Sequence, residues 1–251
     1  MFRCVKIRDI SDHFSLPAPA PATTVGAMNT LGDLGPENGK ASGWRGSREI
    51  WLAAARAALL DGGLDAVRIQ PLAARLGIAR TSFYWFFKDR DALLDALVDA
   101  WEAKNTGAFV DACEAYAETV TEAVLNLVAV FYDEAAFEPR LDFALRGWAH
   151  QSDAVTARVN AADERRLAAI RRMFERFGFP PDDADVRARA VYLVQIGYIA
   201  MQVQESTETR MARVPRYVEI YAGRPPSEGE MARFRARIGF DPAEPGEGAL
   251  P

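Results

Sequence analysis

The chain has 251 residues, 49% of them hydrophobic and 26% charged, with a net charge of −5 at pH 7. That allows one large domain or two modest ones around a real core, and no apolar run approaches the roughly 20 residues of a membrane span. Two cysteines in different regions, Cys4 and Cys113, exclude a disulfide framework and fit a reducing cytoplasm, while Asp9, Asp12 and His13 stand where an export signal would need apolar residues.

Residues 1–44 are rich in Pro, Ala, Gly and Thr, keep no helical or strand period, and balance four basic against four acidic side chains. They read as a disordered N-terminal tail, or as the product of a start codon placed ahead of a true start at Met28. Residues 45–90 carry eight basic and four acidic groups, a net of +4, which leaves −9 on residues 91–251. A small basic module thus precedes a large acidic one. Phosphate affinity is expected in the first, and repulsion of DNA by the second.

Ser47 is a good N-cap for a first helix with Ile50, Ala54, Ala57 and Leu60 on one face, stopped at Asp61-Gly62-Gly63. A short second helix follows, with Pro71 at its first position, Leu72, Ala73 and Leu76 inward, and Gly77 as the left-handed turn residue. A third helix of about one and a half turns runs from Arg80 to Phe86. Asp89 caps a fourth, whose apolar face is Leu93, Leu94, Leu97, Val98 and Trp101. Two short helices around a glycine turn make a helix-turn-helix over about residues 68–87.

Ile78 and Phe83 would pin the third helix, leaving Arg80, Thr81, Ser82, Tyr84 and Trp85 outward. A guanidinium, two hydroxyls and two aromatics with polar tips suit phosphates and base edges better than a merely solvated face would. Arg68, Gln70 and Lys88 flank that surface and complete the expected DNA-binding set. Phe83, Phe86 and Phe87 read as core. Trp85 is left between DNA contact and packing on the fourth helix.

Residues 105–240 read as helical throughout, with breaks near 135–139, 151–153, 178–181, 206–209 and 223–227; residues 241–251 read as a flexible tail. Segment 153–177 is amphipathic, with Val155, Val159, Ala162, Leu167, Ile170, Met173 and Phe174 inward. Its arginines, Arg165, Arg166, Arg171, Arg172 and Arg176, read as a solvated face. Segment 186–203 is apolar nearly all round, which suits a helix buried both on its own core and on a partner chain.

The Leu72-Ala73 pair, Leu76-Gly77-Ile78, the run Ser82-Phe83-Tyr84-Trp85 with Phe87, and Arg90-Asp91 with Leu93-Leu94 resemble the TetR family of transcriptional regulators over about residues 45–104. Ala54–Leu60 followed by Gly62-Gly63-Leu64 resembles that family's first helix and its exit. The resemblance implies an all-α protein with a three-helix DNA-binding head, residues 45–104, joined to a larger helical bundle, residues 105–240, for regulation and dimerisation. It implies a repressor released from a double-stranded DNA operator by a small molecule, homodimeric through C-terminal helices including 186–203, with no cofactor, no metal and no membrane association. Ala79 stands where the family usually has a capping Ser or Thr, and Arg68 where it often has a hydroxyl; both departures bear on the operator sequence.

The stretch Leu141–Ala149, with Asp163 and Arg166, resembles one regulatory-domain type of the family. A pocket there should be mostly apolar with a few polar groups, and Phe143, Trp148, Tyr192, Gln195 and Tyr198 are the candidates. Gln195 reads equally as a buried amide at a dimer interface. A non-inducible architectural DNA binder would need no pocket. An enzyme is the third reading. His150 near a helix end has no ligand-spaced companion, no GxGxxG, GxxxxGK[ST] or GxSxG is present, and Asp182-Asp183-Ala184-Asp185 suits a helix start better than a metal site.

Overall fold

A computed structural model describes residues 46–240; the tails read at 1–44 and 241–251 lie outside the described residues. Among the described residues the chain is all helical, with no strand.

Ser47 caps α1 (Arg48–Gly62) by accepting the Ile50 N–H. The face that α1 buries is Trp51, Ala54, Ala55, Ala58 and Leu59, displaced from the expected Ile50–Ala57–Leu60 stripe. Trp51 sets that phase. It is fully buried, and its ring meets Phe83 edge-on at 5.1 Å. Helix α2 (Ile69–Leu76) begins two residues before Pro71, so that proline is its third residue and not its first. Leu72 and Ala73 are buried, and Gly77 ends α2 in the left-handed region at φ 65°. That conformation favours glycine and turns the chain sharply.

The expected third helix is a 3-10 turn, Arg80–Trp85. Asp89 caps α3 (Arg90–Trp101) through the Ala92 N–H, and the five apolar residues expected on its face are all buried. Helix α3 continues without a break into a π-helical segment, Glu102–Thr106, and then into α4 (Gly107–Glu114).

Beyond a turn at 115–119 that the pattern did not show come α5 (Val120–Ala129), α6 (Pro139–Ala149), α7 (Asp153–Arg176), α8 (Pro181–Ala200), α9 (Thr207–Ala222) and α10 (Glu228–Arg237). Two cores organise them. One holds the helix-turn-helix, α3, α6 and the first half of α7, through Leu141, Leu145, Trp148, Val155, Val159 and Ala162. The other gathers α4, α5, the second half of α7, α8, α9 and α10. Helix α7 therefore spans both cores, as a rigid rod between head and bundle.

The acidic run at 182–185 opens α8, where the helix dipole favours it, and Asp183 and Asp185 pair with Arg187, Arg189 and Arg171. His150 is exposed at the end of α6.

Candidate nucleic-acid interface

The head presents one exposed face. Arg80, Thr81, Tyr84 and Trp85 project from the 3-10 turn, with Tyr84 51% and Trp85 69% exposed. Underneath, Phe83 is fully buried between Trp51 and Phe87, so the turn cannot roll without opening the core. Arg80 Nη2 lies 3.4 Å from the Tyr84 hydroxyl, which puts a cation and a phenol side by side. Arg68, Gln70 and Arg80 border a shallow groove with Pro71 and Ala74, and Lys88 is exposed just past the turn. Seven of the eight expected DNA-contacting residues thus lie on exposed surface of the head.

Ser82 is the exception. It is buried, and its hydroxyl donates to the Ala79 carbonyl at 2.7 Å, alongside its own N–H at 3.0 Å. The turn has no side-chain cap at Ala79, and Ser82 folds back to close it from within. Its role is local structure, not an outward contact. Arg90 is tied down too, donating to the carbonyls of Val67 at 2.6 Å and Leu64 at 2.8 Å. It clamps the loop between α1 and α2.

Behind the head lies a polar centre that the helical pattern concealed. Arg166, expected on a solvated face, is completely buried. Its Nε donates to the Thr106 hydroxyl at 3.0 Å, and its Nη1 to Asp142 Oδ1 and to the Tyr192 hydroxyl, each at 3.1 Å. Its Nη2 finds no hydrogen-bond partner among the described residues, and the guanidinium sits 5.0 Å from the Trp101 ring centre. Asp142 also accepts from Trp101 Nε1 at 2.9 Å and Arg146 Nε at 2.8 Å. Arg146 grips Asp163 with both arms of its fork, at 2.9 and 2.7 Å.

Burial alone would raise the Asp142 pKa, but Arg166 and Arg146 reverse this and hold the carboxyl below its usual range. Burial pushes the Tyr192 phenol up, so it stays protonated and donates to Asp163 at 2.6 Å. Two cations and two carboxylates balance. They join the end of α3, the π segment, α6, α7 and α8 in one network. Arg158 adds surface ties from α7 to Asp99 and Glu102, and Arg56 of α1 pairs with Glu138 just before α6.

The five expected pocket residues separate. Phe143 is 40% exposed on α6. Trp148 is buried in the core shared with the head, and Tyr192 belongs to the arginine network. Gln195 and Tyr198 line a common cavity, which they share with Val128, Tyr132, Arg210, Val214 and Tyr217. Tyr132, Arg210 and Tyr217 escaped the sequence pattern. They come from a 3-10 turn and from α9, and no period relates them to α8.

A helix-turn-helix head with a bare cationic and aromatic face, carried on an all-α bundle, is the architecture of a DNA-binding regulator. Residues 52–97 match the model of the bacterial regulatory proteins of the tetR family. The chain is 44% identical over 43 residues to the tetracycline repressor protein class A from transposon 1721, of Escherichia coli, covering 17% of this chain and 20% of that protein. It is 42% identical over 53 residues to the Escherichia coli tetracycline repressor protein class C, covering 21% and 24%. The chain thus matches about a fifth to a quarter of these relatives' length. Mycobacterium smegmatis AmtR shares the fold with a TM-score of 0.55 at 20% identity, over 82% of this chain and 98% of that one. SmeT, the repressor of the Stenotrophomonas maltophilia multidrug efflux pump SmeDEF, does so with a TM-score of 0.52 at 18% identity, over 74% and 93%. Residues 52–97 are thus a tetR-type domain, and the all-α fold is shared with solved structures of that family.

Among the described residues no helix is long and apolar enough to cross a membrane, and no group of His, Cys, Asp or Glu could hold a metal ion.

Proposed function

We propose that the chain is a sequence-specific DNA-binding repressor that acts as a homodimer and leaves its operator when a small molecule binds the bundle. The observation that carries this is the exposed set Arg80, Thr81, Tyr84 and Trp85, held rigidly over buried Phe83 and flanked by Arg68, Gln70 and Lys88. Arg80 suits a guanine edge or a phosphate; Tyr84, Lys88 and Arg68 suit phosphates.

The dimer surface is the outer stripe of α8. Val186, Ala190 and Leu193 are exposed at helical spacing, with Val186 64% and Leu193 57% bare in a single chain. Such a stripe suits an isologous contact with a second copy. In a two-fold dimer the heads must sit about one DNA turn, ~34 Å, apart. A ligand that shifts the bundle would pull on α3 through Trp101, Asp142 and Arg166, and so move the head. Occupation of the cavity on α8 and α9 is proposed to be that trigger.

The test is fluorescence anisotropy of the purified chain on a labelled duplex from upstream of its own gene, at several salt concentrations. Wild type should bind with a steep salt slope. Arg80→Ala and Tyr84→Ala should each lose about 1–3 kcal/mol, roughly 5- to 150-fold in affinity, with the helical circular dichroism spectrum unchanged. Undiminished binding by both variants would move the reading surface elsewhere.

A further inference from the structure

We infer that the cavity between α5, α8 and α9 takes a small, flat organic monocarboxylate, with Arg210 gripping its carboxylate. This deepens, and rests on, the reading of the chain as a ligand-controlled regulator. The cavity is small, about 20 Å³, and partly open to solvent, so only a compact ligand fits without parting its walls. Val128 and Val214 give it an apolar floor, while Tyr132, Tyr198 and Tyr217 give it aromatic walls.

Its charge is what selects the ligand. Arg213, one turn along α9, is already neutralised by Glu205. Arg210 is half-buried and faces no carboxylate within ion-pair distance among the described residues. Its guanidinium is held against aromatic rings, 4.9 Å from the Tyr132 centre and 5.7 Å from that of Tyr198. Ring contact uses the guanidinium face and leaves the in-plane N–H fork for a planar two-oxygen acceptor. A carboxylate on a flat body satisfies the fork and slides between the rings. A neutral ligand leaves the cation uncompensated, a cationic one is repelled, and a dianion brings one charge too many.

The Tyr198 and Tyr217 hydroxyls, 3.1 Å apart, and the Gln195 amide give a second polar point for a substituent at the far end. Burial raises the Tyr132 pKa, and the hydrogen bond with Tyr198 raises that of Tyr217, so both phenols stay neutral near pH 7.

The test is calorimetric titration of the full chain with a panel of small, compact carboxylic acids of about one to four carbons, each matched with its primary amide. At least one acid should bind wild type about tenfold or more tighter than its amide, and Arg210→Gln should erase that preference. The proposal is overturned if no acid in the panel binds, if amides bind as well as acids, or if Arg210→Gln keeps the preference. The acid–amide comparison uses the wild-type chain, so it stands even where Arg210→Gln fails to fold. Duplex binding measured on the same protein separates the two readings. DNA binding without acid preference removes the carboxylate and keeps the regulator; acid binding without DNA binding does the reverse.

Discussion

Asp142→Ala should lower the melting temperature of the full chain by about 10 °C, more than any single surface change. The reason is what the substitution leaves behind. Arg166 is fully buried, and Asp142 is the carboxylate in direct contact with it, at 3.1 Å, with Asp163 at 4.0 Å. A buried charge robbed of its partner costs about 3–5 kcal/mol, and each kcal/mol moves the midpoint by about 2–4 °C in a chain of this size. Trp101 Nε1 loses its acceptor in the same step. The double variant Asp142→Leu, Arg166→Met should recover most of the loss, because it removes both charges together. Thermal melts followed by circular dichroism decide it. A shift for Asp142→Ala below about 3 °C, the scale of one lost neutral hydrogen bond, would mean that Arg166 is not held by this pair.

The same carboxyl predicts an acid response. Its pKa is lowered in the folded chain, against burial, by Arg166 and Arg146. A depressed carboxylate stabilises the fold above its unfolded pKa, near 3.9, and that contribution is lost as pH falls through the folded value. The gap in melting temperature between wild type and Asp142→Asn should therefore be full at neutral pH and narrow below about pH 4. A gap that stays constant down to the acid limit of folding would assign the stabilisation to packing instead of charge.

Residues whose signals are local were legible in the sequence. Ser47 and Asp89 as caps, Gly77 as the left-handed turn, and the apolar face of α3 stand where the residue pattern puts them, and so does the all-α class. Errors arise where contacts distant in sequence decide the outcome. In α1 the alanine-rich stretch has no sharp phase, and Trp51 settles it by meeting Phe83, 32 positions on. Ser82 turns inward, its hydroxyl donating to the Ala79 carbonyl, so it is buried instead of facing out with Thr81. Arg166 fits an amphipathic helix as a solvated residue; its burial rests on Asp142, Tyr192 and Thr106, 24, 26 and 60 positions away. Among the pocket candidates, Gln195 stood out as a lone amide in an apolar helix and does line the cavity. Phe143 and Trp148 were chosen for chemistry alone, and α6 carries the first to solvent and the second into the head's core.

Leu193→Glu should convert the dimer to a monomer and lower duplex affinity by about a hundredfold or more. In a single chain Leu193 is 57% exposed and Val186 64% exposed, on an outer stripe of α8 that also includes Ala190. A glutamate at such a position costs an isolated protomer little, within about 0.5 kcal/mol, because it points to water. In a two-fold contact the substitution occurs twice, so two carboxylates are brought into one apolar seam and desolvated there. Loss of the dimer removes the second head from the operator, and linkage of two heads multiplies affinity by about 10²–10⁴. Arg80→Ala, in contrast, weakens each head and leaves the assembly intact. Sedimentation velocity at micromolar concentration, run beside the anisotropy titration, separates the two effects. A Leu193→Glu chain that sediments as a dimer and binds its duplex like wild type would take the interface off this face of α8. One that sediments as a monomer yet binds at full strength would show that a single head suffices, and with it the control of head spacing by the bundle would have no lever to act through.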